Sequence, residues 1–297
     1  MKTTKSPKAV AMVAYATALQ TLPLYHHHFS PKKFTQPQLV TCLVLKEFFR
    51  TDYRGITAIL EDACDLRAVI ELEQTPHYTT LQKAAKRLSG KQSLDRLTRA
   101  ILALAIGTKT MKKSVALAAI DSTGFESHYV SAYFVRRKAK GGSAFQETTY
   151  KRVPKVGIVA DTDGYLILSG IPSYGPSPDI LHWKDAIREA VKFVPIKILA
   201  ADAGYDGEGA HCFARTLGIR TLIPNRIGRP TTKLPSGKYR RIMATRFNKK
   251  LYGQRWHLET INSILKRRLG SFLRARTYWS QLREMMLRLF TYNVMVV

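Results

Sequence analysis

The chain has little cysteine, little negative charge and no long apolar run. Three cysteines stand among 297 residues, Cys42, Cys64 and Cys212, far apart and without a C-x-x-C pair. That spacing excludes a disulfide-stapled scaffold and a cysteine-based zinc finger. No stretch approaches the ~18 apolar residues of a membrane span, so no membrane association is expected. The nucleotide-binding pattern G-x-x-x-x-G-K-[ST] and the metalloprotease pattern H-E-x-x-H are also missing. His26-His27-His28 has no cysteine or spaced histidine beside it and reads as a plain loop. Lys2, Lys5 and Lys8 precede a mildly apolar stretch at 9–19, but no small-x-small cleavage site follows before Pro23. A short buried helix in a cytoplasmic protein is the expectation there.

What the sequence does have is positive charge: 48 Lys and Arg against 21 Asp and Glu, a formal charge of +27. Its apolar and charged fractions, 45% and 23%, are those of a folded protein. A folded chain with this charge calls for a polyanion, and nucleic acid leads over anionic membrane. The charge is uneven. Residues 226–297 hold 17 basic residues and two acids, Glu259 and Glu284. Such a segment repels itself unless phosphates neutralise it. A second basic stretch, Arg136-Arg137-Lys138, reads as part of a Gly-containing loop with Lys140 and as a further DNA contact.

Hydrophobic periodicity changes along the chain. Residues 35–110 carry helical spacing in five segments, at 38–49, 56–60, 66–72, 79–88 and 94–106. From about 114 the pattern is that of strands. A continuous apolar run, 115–120, ends in Asp121, and another, 196–201, ends in Asp202. Strands at 156–160 and 165–168 flank Asp-Thr-Asp-Gly, a hairpin turn. Helices at 180–193 and 210–217, a strand at 219–224, a basic loop at 225–250, one long helix at 251–269 and another from 279 complete the expectation. A hairpin followed by strands alternating with helices indicates an α/β fold on a mixed sheet. The expected division is a helical domain over 1–110, as readily a plain bundle as a helix-turn-helix DNA reader, and a sheet-based domain with helical C-terminal elements over 112–297.

Carboxylates at strand ends can converge, because sites in α/β sheets lie beyond those ends. Asp also simply terminates strands and starts turns. The helix around Glu259 is more informative. Turned at ~100° per residue from Tyr252, Arg255, Glu259 and Lys266 fall within about 60° of one another and of Tyr252. Leu258, Ile261, Ile264, Leu265 and Leu269 lie roughly opposite, so the apolar back can dock while the polar stripe faces a groove. Three clustered carboxylates would repel and raise one another's pKa. Two Mg²⁺ ions remove that conflict and suit phosphodiester chemistry, with Arg255 and Lys266 gripping phosphates alongside. The tryptophans Trp183, Trp256 and Trp279 are read as packing residues.

Tyr252-x2-Arg255-x3-Glu259-x6-Lys266 resembles the Tyr-Arg-Glu-Lys signature of DDE-type insertion-sequence transposases, and Asp121-Ser-Thr-Gly and Ala-Asp202-Ala-Gly-Tyr-Asp resemble that family's two Asp regions. The resemblance covers residues 112–297. It implies a ribonuclease H-like catalytic core, with Asp121, Asp202 and Glu259 as catalytic metal ligands. Tyr252, Arg255 and Lys266, with Arg267, are implied as contacts to DNA. It further implies two Mg²⁺ ions, with Mn²⁺ as a substitute, and double-stranded DNA partners, both element ends and target. The implied assembly is a homodimer or larger complex on DNA, in a prokaryotic cytoplasm beside the nucleoid. The implied reaction is cleavage at element ends and attack of the freed 3′-hydroxyl on target DNA. Only 56 residues separate Asp202 from Glu259, and the one Trp among them is Trp256, so the chain resembles the short-insert branch. The competing readings are a DNA-binding protein without chemistry and a structure-selective nuclease on the same fold.

Overall fold

The computed structural model describes residues 3–138, 145–226 and 233–297. Six helices come first: α1 (Pro7–Thr21), α2 (Gln36–Phe48), α3 (Tyr53–Asp62), α4 (Cys64–Val69), α5 (Tyr78–Leu88) and α6 (Lys91–Gly107). Their starts follow local chemistry. Thr35 and Gln38 form a reciprocal capping box on α2, and Asp52 accepts the Gly55 N–H at the start of α3. The 9–19 stretch is helical, with Val10, Ala11, Ala14 and Ala18 fully buried.

The strands begin at Val115. One sheet has the order β5 (Ile167–Tyr174), β4 (Pro154–Asp161), β1 (Val115–Gly124), β6 (Ile196–Ala200), β7 (Arg220–Leu222). β5, β4 and β1 are antiparallel neighbours, and β6 and β7 run parallel to β1. The sheet is mixed, as expected. Helices cover both faces. On β5, Ser169 donates to the Ala186 carbonyl of α7 (Trp183–Val191), while Gly170 lies against Leu289 of α12 (Tyr278–Val296). Adjacent strand residues point to opposite faces, so α7 and α12 sandwich that edge. A Cβ at Gly170 would come within 2.2 Å of Leu289, which is why this position is glycine. α12 also packs on α1, α2 and α6, so the helices of 1–110 and the sheet share one apolar core.

Four sequence expectations are corrected. First, β1 does not stop at Asp121. Its antiparallel ladder with β4 runs on to Gly124, because β4 keeps supplying partners after β6 has ended. Second, the expected helix over 251–269 is broken. α10 (Lys249–Gly253) and α11 (Trp256–Leu269) are joined at Gln254 and Arg255 by tighter turns, in which Arg255 N–H bonds Tyr252 O and His257 N–H bonds Gln254 O. Third, the basic 225–250 segment contains a helix, α9 (Lys238–Thr245). Fourth, Arg136, Arg137 and Lys138 are not in a loop. They lie on β2 (Ala132–Lys138), which pairs with β3 (Phe145–Lys151) as a separate two-stranded arm. Arg136 sits over the Phe145 ring at 4.6 Å. Lys140 lies outside the described residues.

Candidate active site

Sheet register brings the first two carboxylates together. Ala119 on β1 pairs with Ala200 on β6, and the two strands are parallel. Asp121 and Asp202 each follow two residues later, Asp121 still on β1 and Asp202 just past the end of β6, and the charge of Asp202 acts on Asp121. Parallel neighbours are ~4.8 Å apart. Asp121 Oδ1 accepts its neighbour Ser122 N–H at 2.9 Å, and Asp202 Oδ1 accepts Gly204 N–H at 2.9 Å, capping a short 3-10 turn at Ala203–Tyr205. Both bonds fix carboxylate direction.

The third carboxylate comes from α11. Leu258, Ile261, Leu265 and Leu269 are buried and dock the helix, as its apolar stripe requires, leaving Glu259 on the open side. Arg255 sits at the junction. Its Nη2 donates to Glu259 Oε1 at 2.7 Å and its Nη1 lies 3.7 Å from Asp121 Oδ2. Burial alone would lower the Arg255 pKa. Ionised Tyr252, then Asp121, Glu259 and Asp202, oppose that effect and the value is raised. One guanidinium therefore bridges Asp121 and Glu259 and feels the charge of Asp202. Asp121 responds in the expected direction: burial raises its pKa, Ser122 N–H and Arg255 oppose, and Asp202 and Asp179 add to the rise.

Tyr252 lies on α10, before the break, with its ring 5.1 Å from that of Phe247 in a small apolar cluster with Leu117 and Leu222. Its carbonyl accepts the Arg255 N–H at the break, and its ring stays in the cluster. Lys266 and Arg267 do not join Arg255 and Glu259; seven residues beyond Glu259, Lys266 is about 10 Å further along the helix. Trp183 is buried as expected, but Trp256 and Trp279 are 55% and 66% exposed, against the packing expectation. Trp256 faces solvent one turn before Glu259.

Sequence reasoning missed the groups behind Asp121. Asp179, in a 3-10 turn before α7, pairs with Lys155 at 2.6 Å and its charge acts on Asp121. Ser122 Oγ, Tyr205 OH and His182 Nε2 are buried nearby, with the Ser122 and Tyr205 hydroxyls close enough to act on each other. Gly157 opposite Ser122 leaves room for His182 to close over them. Ser122 and Tyr205 lie inside the two quoted Asp motifs, but Asp179 and His182 carry no spacing signal, because they reach the site only through the sheet.

Two neighbouring acids have other work. Asp206 is fully buried and takes a bidentate pair from Arg240, 2.9 and 2.7 Å, plus the Arg226 N–H. Glu208 accepts the N–H groups of Tyr239 and Arg240, closing the start of α9. Burial would raise both pKa values, but these bonds hold them below the ordinary range. The pair fastens the basic 233–245 segment to the core.

An all-oxygen donor set of three carboxylates is the chemistry that hard divalent cations take. As the side chains stand, no three metal-ligating groups among the described residues enclose an ion position. The Arg255 guanidinium supplies positive charge between Asp121 and Glu259 instead, and Glu259, 59% exposed at its side chain, is free to turn. The donor set fits; the rotamers are those of a site held by an arginine.

The family model of the transposase DDE domain matches residues 116–294, more than half of the chain. Among solved structures, the chain is similar to a piggyBac transposase synaptic complex with hairpin DNA, at 9% identity and a TM-score of 0.45, over 97% of this chain and 71% of that one. It is also similar to a Mos1 mariner paired-end complex with Mn, at 9% identity and a TM-score of 0.24, over 70% and 65%. A pre-cleavage Mos1 transpososome matches at 10% identity and a TM-score of 0.23, over 67% and 61%. The chain spans less than two thirds of these Mos1 chains. No curated protein matches it significantly.

Proposed function

The chain belongs to the transposase DDE-domain family, and on that premise we propose that Asp121, Asp202 and Glu259 are its catalytic carboxylates. The observation that carries this reading is Arg255 bridging Asp121 on β1 and Glu259 on α11, next to the end of β6 that leads into Asp202. Two divalent ions, Mg²⁺ or Mn²⁺, would be held by these carboxylates and would supply Lewis-acid activation of the attacking and leaving oxygens of a phosphodiester. Arg255 then has a double role. Without cation it neutralises Asp121 and Glu259; with the carboxylates otherwise engaged, its guanidinium is free to grip a phosphate bidentately.

The substrates are double-stranded DNA, the ends of an insertion element and a target, joined through the freed 3′-hydroxyl. End recognition is assigned to the helices of 1–110 and chemistry to 112–297. The β2–β3 arm, with Arg136, Arg137 and Lys138, and the α11 bases Lys266 and Arg267 extend the DNA contact. A homodimer or larger assembly on two DNA ends follows from the need to join both, in the cytoplasm of a prokaryote. Among the described residues, no helix is long and apolar enough to cross a membrane. Strand cleavage and transfer on DNA bearing the element's own termini, with and without Mg²⁺, tests the reading. Cutting without joining would instead support a structure-selective nuclease, and binding without cutting a chemically inactive DNA-binding protein.

A further inference from the structure

A cleft of about 420 Å³ opens away from the carboxylates, between the α2–α3 and α5 helices on one side and the 274–277 loop with the start of α12 on the other. Five bases line it, Lys46, Lys86, Arg274, Arg276 and Arg283, against three acids, Glu47, Asp52 and Glu284. The acids are all engaged. Glu47 binds Lys46 and Arg288. Glu284 binds Arg288 and accepts the Arg274 and Ala275 N–H groups. Asp52 caps α3. Lys86, Arg276 and Arg283, by contrast, have no carboxylate partner among the described residues. Lys86 and Arg276 are exposed, and Arg283 lines the cleft together with the half-buried Tyr53. The 19-residue α12 starts at its rim without a side-chain cap, and the hydroxyls of Thr277 and Ser280 line it too. Spare cations, hydroxyl donors and an uncapped helix start in one recess suit phosphate oxygens.

The cleft is tied to the carboxylate site through the chain leaving β1. Glu126 bridges to Phe272, and Gln281 Nε2 donates to Ser127 Oγ, Tyr129 O and Ala275 O. From Asp121 to Ser127 an extended chain covers about 20 Å at most. That equals roughly six base steps of duplex at ~3.4 Å each.

We propose that this cleft is a second DNA-backbone site, in which Lys86, Arg276 and Arg283 hold phosphates of the same duplex that crosses the carboxylates, outside the cut itself. The proposal rests on the transposase reading. Its position also bridges the helical region and the catalytic sheet, so DNA seated there would touch both.

The test is the salt dependence of binding by the full chain to a 30-bp duplex, read by fluorescence anisotropy between 50 and 200 mM NaCl. Each lost phosphate contact lowers the slope of log K against log salt by about 0.9. The triple variant Lys86→Gln, Arg276→Gln, Arg283→Gln should therefore lose about 2–3 in slope. A control of equal charge loss elsewhere, Lys8→Gln, Lys197→Gln, Arg220→Gln, should keep the wild-type slope. Single Lys86→Gln and Arg276→Gln variants, both at exposed positions, guard against a folding defect in the triple and should each lose about one. An unchanged slope in the cleft variants overturns the proposal, as does an equal loss in the control. A wild-type chain that fails to bind the duplex at all overturns the transposase reading itself, and the cleft with it.

Discussion

Glu259→Gln and Asp206→Asn make opposite demands on the structure, and together they test the site assignment. Glu259 is 59% exposed and its one ion pair is an i,i+4 contact with Arg255. Such a pair contributes only ~0.3–0.5 kcal/mol. Unfolding entropy of ~2.1 cal/mol/K per residue gives about 0.6 kcal/mol/K for a chain of this length. Glu259→Gln should therefore move Tm by less than about 1 °C. Its effect on chemistry should be large, because glutamine keeps the size and hydrogen bonding but not the charge that a divalent cation needs. Losing about 4 kcal/mol of charge stabilisation in the transition state corresponds to roughly a thousandfold in rate. Asp206 is the reverse. It is fully buried and its removal strands Arg240, which is three-quarters buried. Breaking such a pair costs about 3 kcal/mol, and Tm should fall by about 5 °C. Activity per folded molecule should persist. Mg²⁺-dependent nicking of DNA carrying the element ends, normalised to the folded fraction from the melt, reads both effects. Full nicking by Glu259→Gln, or loss of nicking by folded Asp206→Asn, would refute the assignment of α11 as the source of the third carboxylate.

Arg255→Gln removes the cation that bridges Asp121 and Glu259, so Mn²⁺ should bind the DNA-free protein more tightly, measured by calorimetry; weaker or unchanged binding would argue against its neutralising role. Arg288 is 3% exposed and binds Glu47, Glu284 and the carbonyls of Gly270 and Phe272, so Arg288→Met should cost about 3–5 kcal/mol and lower Tm by about 5–8 °C, with a melt unchanged from wild type as the contrary result. Acid should destabilise the fold: Glu47, Asp206 and Glu208 have folded-state pKa values held below the ordinary range, so their contribution is intact above about pH 5 and fades as pH falls through those depressed values. A pH series of melts that stays level down to pH 3 would contradict this. DNA affinity should drop at least about tenfold between 50 and 200 mM salt, and a flat response would mean that the basic C-terminal quarter does not face DNA.

Much of the architecture could be read from periodicity, because local burial decides it. Each helix expected between 38 and 106 is present within a few residues, and the 156–168 hairpin turns on Asp161, whose carboxylate accepts the Asp163 and Gly164 N–H groups. The misreadings share one cause: a neighbour elsewhere in the chain decides the local state. Asp121 looked like a strand terminus because the apolar run stops there. The strand continues because β4 lies alongside, and Ser122 and Thr123 are paired to Gly157 and Val156. The 251–269 helix looked continuous because Gly253 and Gln254 forbid nothing, yet Tyr252 is drawn into the Phe247 and Leu222 cluster and the helix tightens at that point. Glu47 sits within an apolar helix and was passed over; Arg288, 241 residues away, explains it.

The relation between Asp121 and Asp202 follows from topology more than from either motif. Two parallel strands in register at Ala119 and Ala200 place any residue two positions further on at equal height. The antiparallel β4 then lets β1 project beyond β6 while staying paired, so Asp121 is held by a ladder, and Asp202, where β6 has ended, by its own turn. One carboxylate is thus fixed by the sheet and the other by a local cap, and the third rides on a helix whose apolar side is buried. Rigid supports of three kinds bring like charges together that would otherwise separate. The repulsion is answered within the chain by Arg255, at the two-residue junction where α10 gives way to α11. A continuous helix would also carry Arg255 and Glu259 on one face. The break adds the turn that leaves Arg255 inside the carboxylate group while Tyr252 stays anchored in the satellite cluster.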